Sequence, residues 1–381
     1  MNPLPQPVLG IMTLYLNNRK YIEERSVFQK MIVAGNGLGL ASFVFTPEDI
    51  DRSRNLINAQ FYDTSKARWT RKWTSFPTLI FDRCRYQPNK RFHQLQNFRK
   101  TYPKLVYLNR PISNKWVIYE IMMKNSRIRP HLPETKLCMR VKDVTDFLGR
   151  YNLVYLKPKN GTGGRGILRI ERMTNQIYLI QGRDHNRKII TPQRVTRSQI
   201  TERLKNWQLP GRYLIQQGIQ LKLKDGRVHD YRLLIQKNGT GNWEVTGCAG
   251  RIGAHRSITS NLHGGGQAVK MDDLLGRWFD NEDKIREVKQ TADDLALEVS
   301  HFVEDKYGKL CELALDLAID KEGHVWLLEI NPKPAREVFK QIGESDTYTK
   351  AISRPMEYAL WLYRQKKAAK VAASAKRKGM K

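Results

Sequence analysis

Three oxygen-bearing side chains, Asp316, Glu329 and Asn331, fall within Cys311 to Pro334 (CELALDLAIDKEGHVWLLEINPKP) at spacings that suit a hard cation. Asp320-Lys321-Glu322-Gly323 reads as a turn between two β-rich runs, so the stretch is expected to be a hairpin. Taken as a four-residue loop, that turn pairs Ile319 with His324 and, further in, Ala314 with Glu329. Alternation then puts Asp316, Glu329 and Asn331 on one face. Asp316 is the diagonal neighbour of Glu329, roughly 7 to 8 Å away between backbones, and the small Ala314 leaves room opposite Glu329. Two carboxylates and an amide oxygen suit magnesium, which completes its shell with water and phosphate oxygens. The plain alternative is a hairpin whose polar face only meets water. Leu315, Leu317, Trp326, Leu328 and Ile330 occupy the other face, however, which makes the hairpin central, and clustered acids there call for a cation.

A second pattern, Leu156 to Gly166 (LKPKNGTGGRG), carries glycines at Gly161, Gly163, Gly164 and Gly166. A GxGxxG pattern opens a dinucleotide site only when a helix follows, and Ile167 to Ile170 is strand-like. The glycines therefore form the tip of a hairpin flap, able to close over phosphates with backbone N–H groups and no Cβ in the way. Lys157, on the strand entering the flap, supplies a point charge for phosphate. No GxxxxGK[ST] loop and no kinase HRD or DFG motif occurs.

These groups need elements to hold them. The chain has 381 residues, 40% of them apolar, enough for two or three domains with cores of their own. Val8 to Leu16 reads as a strand, Glu24 to Ala34 as a helix stopped by Gly35-Asn36-Gly37, and Leu40 to Phe45 as a second strand. Thr46-Pro47-Glu48-Asp49 has the cap, proline and acids of a helix start, so a parallel β-α-β unit followed by another helix is expected. Thr78 to Asp82 is a third strand. A helix follows Asn114, and Pro130 and Pro133 mark a junction. From Leu153 the pattern changes to hairpins, with strands at Leu153 to Lys157, Ile167 to Arg172, Ile177 to Ile180, Asp230 to Gln236 and Trp243 to Gly247. Ile285, Val288, Ala292, Leu295, Val299 and Phe302 mark one face of a long helix ended by Gly308.

Lys+Arg of 67 against Asp+Glu of 37 gives a net charge of +30, a field that attracts nucleotides and other polyanions. Eight basic residues and no acid fall between Trp361 and Lys381, so part of this charge is a tail. Four scattered cysteines without a CxxC pair read as reduced, buried thiols. No apolar run reaches the roughly 18 to 20 residues of a membrane span, and Met1 to Gln6 lacks the basic start of a signal peptide. A cytoplasmic location follows, with association to a charged particle or surface left open.

The flap first and the Asp…Glu-x-Asn hairpin last, in this order over roughly Asn114 to Lys340, resemble the ATP-grasp superfamily. LGIMTLYLNNR at Leu9, FPTLIFDRC at Phe76, NKWVIYEI at Asn114, LPET at Leu132, YLKPKNGTGGRGI at Tyr155 and WLLEINPKP at Trp326 are similar, nearly end to end, to the YheC/YheD endospore coat-associated family. The resemblance implies a mixed α/β fold: a Rossmann-like pre-ATP-grasp domain at 1–112, an ATP-grasp domain at 113–345 and a C-terminal helix with a basic tail at 346–381. Within the ATP-grasp domain it implies a small central subdomain at about 135–215 and a second subdomain at about 216–345. It also implies ATP with one or two magnesium ions, held by Asp316, Glu329 and Asn331, and nucleotide contacts from Lys115, Lys157, Gln216, Gln217 and Ile219. Gln216 stands where an acid is common in the superfamily. Arg251 resembles the arginine that neutralises charge at the γ-phosphate, Arg232 the charged strand residue near the cleft, and Asn261 belongs to an SNLH-Gly segment shared with the glutamate-ligase branch.

The implied activity is a carboxylate–amine or carboxylate–thiol ligase that works through an acyl-phosphate on an undefined carboxylate substrate, which leaves peptide, polymer and small molecule open. A second class is a coat-associated structural protein that keeps ATP as a ligand, its basic tail against an acidic coat surface. The third, a nucleic-acid binder, rests only on Arg68, Trp69, Arg71, Lys72 and Trp73 and has no recognised module behind it.

Overall fold

The computed structural model describes residues 7–16, 20–87, 89–161, 164–186, 188–255, 257–260, 262 and 265–378, and within these the chain forms three β-sheets. The first holds the expected β-α-β unit. Strand β1 (Val8–Met12) runs parallel to β2 (Ala41–Phe45), with helix α1 (Arg25–Gly37) between them. The helix runs through Gly35-Asn36-Gly37 instead of stopping there, and β1 ends four residues before Leu16.

The helix expected at Thr46 starts with the expected cap and proline but stops after a single 3-10 turn. Pro47–Asp49 is a single tight turn in which the Asp49 carboxylate accepts from the Thr46 backbone N–H at 2.8 Å and from its hydroxyl at 2.9 Å. Tyr15 and Arg71 also donate to Asp49, at 2.8 and 3.0 Å, so bonds distant in sequence hold the residue that was to open the helix. The chain continues instead into β3 (Ile50–Asp51) and a hairpin of β4 (Leu56–Asp63) and β5 (Arg68–Thr74). β6 (Leu79–Asp82) returns parallel to β1. After α2 (Lys90–Thr101), β7 (Val106–Tyr107) pairs parallel to β6.

Helix α3 (Lys115–Met122) starts at Asn114, whose side-chain oxygen accepts from the N–H groups of Trp116 and Val117 at 3.0 and 3.2 Å. The next sheet is antiparallel, in the order β12-β11-β10-β9-β13-β8. Its strands are β8 (Thr135–Leu137), β9 (Leu153–Pro158), β10 (Ile167–Arg172), β11 (Ile177–Arg183), β12 (Ile189–Thr196) and β13 (Tyr213–Gln217). Helices α4 (Val141–Arg150) and α5 (Arg197–Leu204) cover one face of it, with Val144, Phe147 and Leu148 packed in one core with Val154, Leu156 and Ile170.

The last sheet has the order β16-β15-β14-β17-β18. It is built from β14 (His229–Lys237), β15 (Trp243–Ile252), β16 (Gln267–Lys270), β17 (Glu312–Ile319) and β18 (Val325–Asn331). Short α6 (Met271–Leu275) precedes α7 (Glu282–Tyr307), the long helix read from its apolar stripe. Val288, Ala292, Leu295 and Val299 of that stripe share a core with Leu313, Leu315 and Leu317. Gly308 ends α7 with φ of 80°, a left-handed conformation that glycine adopts without a Cβ clash. After α8 (Glu337–Gln341), helix α9 (Ser345–Lys378) packs on α1 and against β14 and β15. Tyr348, Ile352, Met356 and Ala359 share a core with Val27, Phe28 and Met31 of α1. Cys84, Cys138 and Cys311 are buried free thiols, and Cys248 is half-buried. Among the described residues no helix is long and apolar enough to cross a membrane.

Candidate active site

The central hairpin forms in a register that differs from the expected one. The turn spans Lys321 to Gly323, closed by the Asp320 N–H donating to the His324 carbonyl at 3.2 Å, and Ile319 faces Val325 instead of His324. A bulge between Asp316 and Leu317 then inserts one further residue in β18. Asp316 therefore lies directly opposite Glu329, not diagonal to it, and Ala314 faces Asn331. Two one-residue shifts cancel in parity, so Asp316 and Glu329 still share a face. Between turn and bulge only one shift applies, and the faces exchange there. Leu327 enters the core in place of Trp326, whose indole donates to Asp320 at 2.8 Å, and Leu328 turns to the cleft.

Asp316, Glu329 and Asn331 line a cavity of about 160 Å³ between the second and third sheets. Lys157, Gln216 and Gln217 face them from the second sheet, and Lys115 enters from the start of α3. Ile219 lies on the segment joining the two sheets, and Gly164, in the loop between β9 and β10, lines the cavity too. Lys115 reaches Glu329 at 3.2 Å, and Lys157 donates to the Gln216 side-chain oxygen at 2.5 Å. Gln216 in turn donates to the Thr135 hydroxyl at 3.1 Å, which fixes its orientation. Burial, then the nearby Lys115, pulls the Lys157 ammonium down to about 8 against the opposing pull of Glu329, Asp316 and Asp230.

Arg232 lies opposite Asp316 in the β14–β17 ladder and grips its carboxylate with two nitrogens. Arg251 reaches Asp316 at 3.2 Å and holds Asp230 through contacts of 2.7 and 2.6 Å. Burial alone raises the Asp316 carboxyl, but Arg232 and Arg251 outweigh it and hold it at about 2. Arg251 is only 4% exposed and lies outside the cavity lining, whereas Arg232 lines it. The buried Asn331 amide nitrogen has no hydrogen-bond partner among the described residues. An amide so placed, beside two carboxylates, fits a cation site because it can turn its oxygen inward. Among the described residues no group of three His, Cys, Asp or Glu side chains is placed to hold a metal ion.

The glycines separate in role. A Cβ at Gly166, where φ is +65°, meets the Tyr213 hydroxyl at 2.8 Å and the His185 ring at 3.0 Å, so this glycine lets the flap strand pack closely. Gly161 meets only Pro158 at 3.4 Å. Gly163 and Asn261, with His263 beside the latter, lie outside the described residues. Sequence reasoning missed Tyr155, which lines the cavity two residues before Lys157, a period-two signal that was available. It also missed Leu328, for which no local signal exists because the bulge puts it there.

A crystal structure of the D-cycloserine synthetase DcsG is similar over 94% of this chain and 99% of that one, at 14% identity and a TM-score of 0.52. D-alanyl-alanine synthetase A from Vibrio cholerae O1 biovar eltor is similar over 92% of this chain and 98% of that one, at 10% identity and a TM-score of 0.51. At such identities the likeness shows the fold alone: the mixed α/β architecture of ATP-grasp proteins. Among curated proteins, the endospore coat-associated protein YheC of Bacillus subtilis (strain 168) is 28% identical over 83% of this chain and 87% of its own length. The endospore coat-associated protein YheD of the same strain is 29% identical over 93% of this chain and 79% of its own length. The family model described as YheC/D like ATP-grasp matches residues 104–362, more than half of the sequence, and the chain belongs to that family.

Proposed function

We propose that this protein binds ATP with magnesium in the cleft between the second and third sheets and is a carboxylate–amine or carboxylate–thiol ligase. The observation that carries the reading is the convergence of Asp316, Glu329 and Asn331 with Lys157 and Lys115 on one cavity beneath a glycine-containing flap. The working unit is residues 113–345, with 1–112 and 346–381 packed against it, and Gln216, Gln217 and Ile219 border the nucleotide. Asp316, Glu329 and Asn331 hold the cation, which supplies charge neutralisation at the phosphates.

The chain's own groups mostly position and neutralise. Lys157 and Lys115 bind phosphate oxygens, and β9 and β10 flank the cleft and help exclude water. Arg232, released from Asp316, meets negative charge growing on the transferred phosphoryl group, while Arg251 keeps Asp316 and Asp230 in place. A substrate carboxylate oxygen attacks the γ-phosphorus and ADP leaves. The nucleophile then attacks the acyl carbon and phosphate departs. The carboxylate is that of a peptide, polymer or small molecule, in keeping with coat association in the curated relatives and with a basic tail suited to an acidic surface.

The test is nucleotide protection. At about a hundredfold excess of free ligand over its Kd, ATP with magnesium is expected to raise stability by about 2.7 kcal/mol. Asp316→Asn with Glu329→Gln is expected to remove the magnesium-dependent part of the thermal shift and leave the rest. An unchanged shift in the double variant sinks the proposed cation site. ADP release on adding candidate carboxylates separates a ligase from a coat protein that only keeps the nucleotide.

A further inference from the structure

The β4–β5 hairpin carries a surface that the cleft does not use. β5 pairs with β4 along all seven of its residues and has no other strand neighbour among the described residues. Among the described residues no backbone hydrogen bond from 68–74 reaches anything but β4, so the outer edge offers unpaired N–H and C=O groups. Such an edge is a template for one more strand.

The side chains say which strand. β5 reads RWTRKWT, with Arg68, Arg71 and Lys72 and no acid. Arg71 is held by Asp49 at 3.0 Å. Arg68 and Lys72 are exposed, as are Arg52 and Arg54 in the β3–β4 turn and Lys66 in the β4–β5 turn. Two further acids, Asp51 and Asp63, accept hydrogen bonds within their own turns and stay charged. Asp51 accepts from the Ser53 N–H and hydroxyl at 3.0 and 2.7 Å and from the Arg54 N–H at 3.1 Å. Asp63 does the same with Ser65 at 3.1 and 2.7 Å and with the Lys66 N–H at 3.2 Å. Arg52, Arg54, Lys66, Arg68, Arg71 and Lys72 thus stand against Asp49, Asp51 and Asp63, the last directly opposite Arg68 in the ladder, and the edge keeps an excess of positive charge.

Each alternative occupant meets an obstacle. A second copy of this edge sets cation against cation, which opposes pairing. A nucleic acid seeks free aromatic faces for its bases. Here Trp69 packs on Tyr62 at 5.4 Å and lies under Arg25 at 4.9 Å, while Arg54 covers Trp73 at 4.8 Å. We propose that the outer edge of β5 binds an extended acidic polypeptide segment by strand addition. By alternation Arg68, Thr70 and Lys72 share a face. The partner strand carries carboxylates four residues apart, opposite Arg68 and Lys72, with a small polar residue between them.

The experiment uses the full chain and a short synthetic peptide centred on Glu-Val-Thr-Val-Glu. Fluorescence anisotropy gives the affinity and hydrogen exchange gives the location. Binding is expected to slow exchange at residues 68–74. It is expected to weaken about tenfold in the double variant Arg68→Glu with Lys72→Glu, and to fail when alternate peptide amides are N-methylated. Lys72→Gln alone gives a smaller loss in the same direction should the double variant unfold. Equal binding of the methylated peptide, equal binding of a single-stranded oligonucleotide of the same charge, or no protection at 68–74 overturns the proposal.

Discussion

Lys157 donates to a neutral amide oxygen, that of Gln216, and makes no salt bridge among the described residues. A carboxylate at position 216 would hold the ammonium charged. Glutamine leaves it near 8, half deprotonated at that pH and ready for an incoming negative charge. Phosphates arriving beside it must raise that value, so ATP binding near pH 8 is expected to take up a substantial fraction of a proton. Calorimetry in buffers of different ionisation enthalpy measures the uptake, and both Lys157→Met and Gln216→Glu are expected to abolish it. Asp316 works with the opposite sign. Its folded value of about 2 lies below the roughly 3.9 of an unfolded aspartate, so its contribution is present above the unfolded value and lost as pH falls towards 2. The Asp316→Asn variant is expected to show a flatter loss of stability between about pH 5 and 2, read from urea unfolding at each pH.

At the scale of elements, β9 and β10 frame the flap, and the close approach of β10 to its other neighbour, β11, depends on Gly182. A Cβ there falls 2.2 Å from the Ile167 carbonyl oxygen, a backbone atom that cannot move aside cheaply. Gly182→Ala is expected to destabilise the protein by about 1–3 kcal/mol in urea unfolding and to weaken ATP binding. Local patterns made much of this architecture legible: the α7 stripe, the flap strands and the shared face of Asp316 and Glu329 follow from period 3.6 or 2. What escaped were features set by distant partners. Thr46 to Asp49 has every local mark of a helix start, yet Tyr15 and Arg71 capture Asp49. The β4–β5 turn uses Ala67 at φ of 47°, a left-handed conformation that sequence rules assign to glycine or asparagine, so the hairpin gave no turn signal. The central hairpin's bulge likewise has no sequence mark, and it moved Leu328 into the cleft.

On the scale of the whole molecule, one buried ion cluster joins the three parts of the chain. Arg83, just after β6, donates to Glu312 at 2.5 Å, to Glu24 at 2.8 Å and to the Pro334 carbonyl at 2.8 Å. Arg336 pairs with the same Glu312 and donates to the Ala351 carbonyl of α9 at 2.7 Å. Glu312 is fully buried and stands at the head of the strand that bears Asp316. Removing one charge strands its partners away from water, so Glu312→Gln is expected to cost about 3–5 kcal/mol in urea unfolding. The packing of α9 on α1 has a consequence for synthesis. The ribosome makes α1 more than 300 residues before it makes α9, so the nascent chain must shelter the uncovered flank of Val27, Phe28 and Met31 until α9 follows. Chaperones that engage emerging polypeptides are expected to dwell on this protein until α9 clears the exit tunnel.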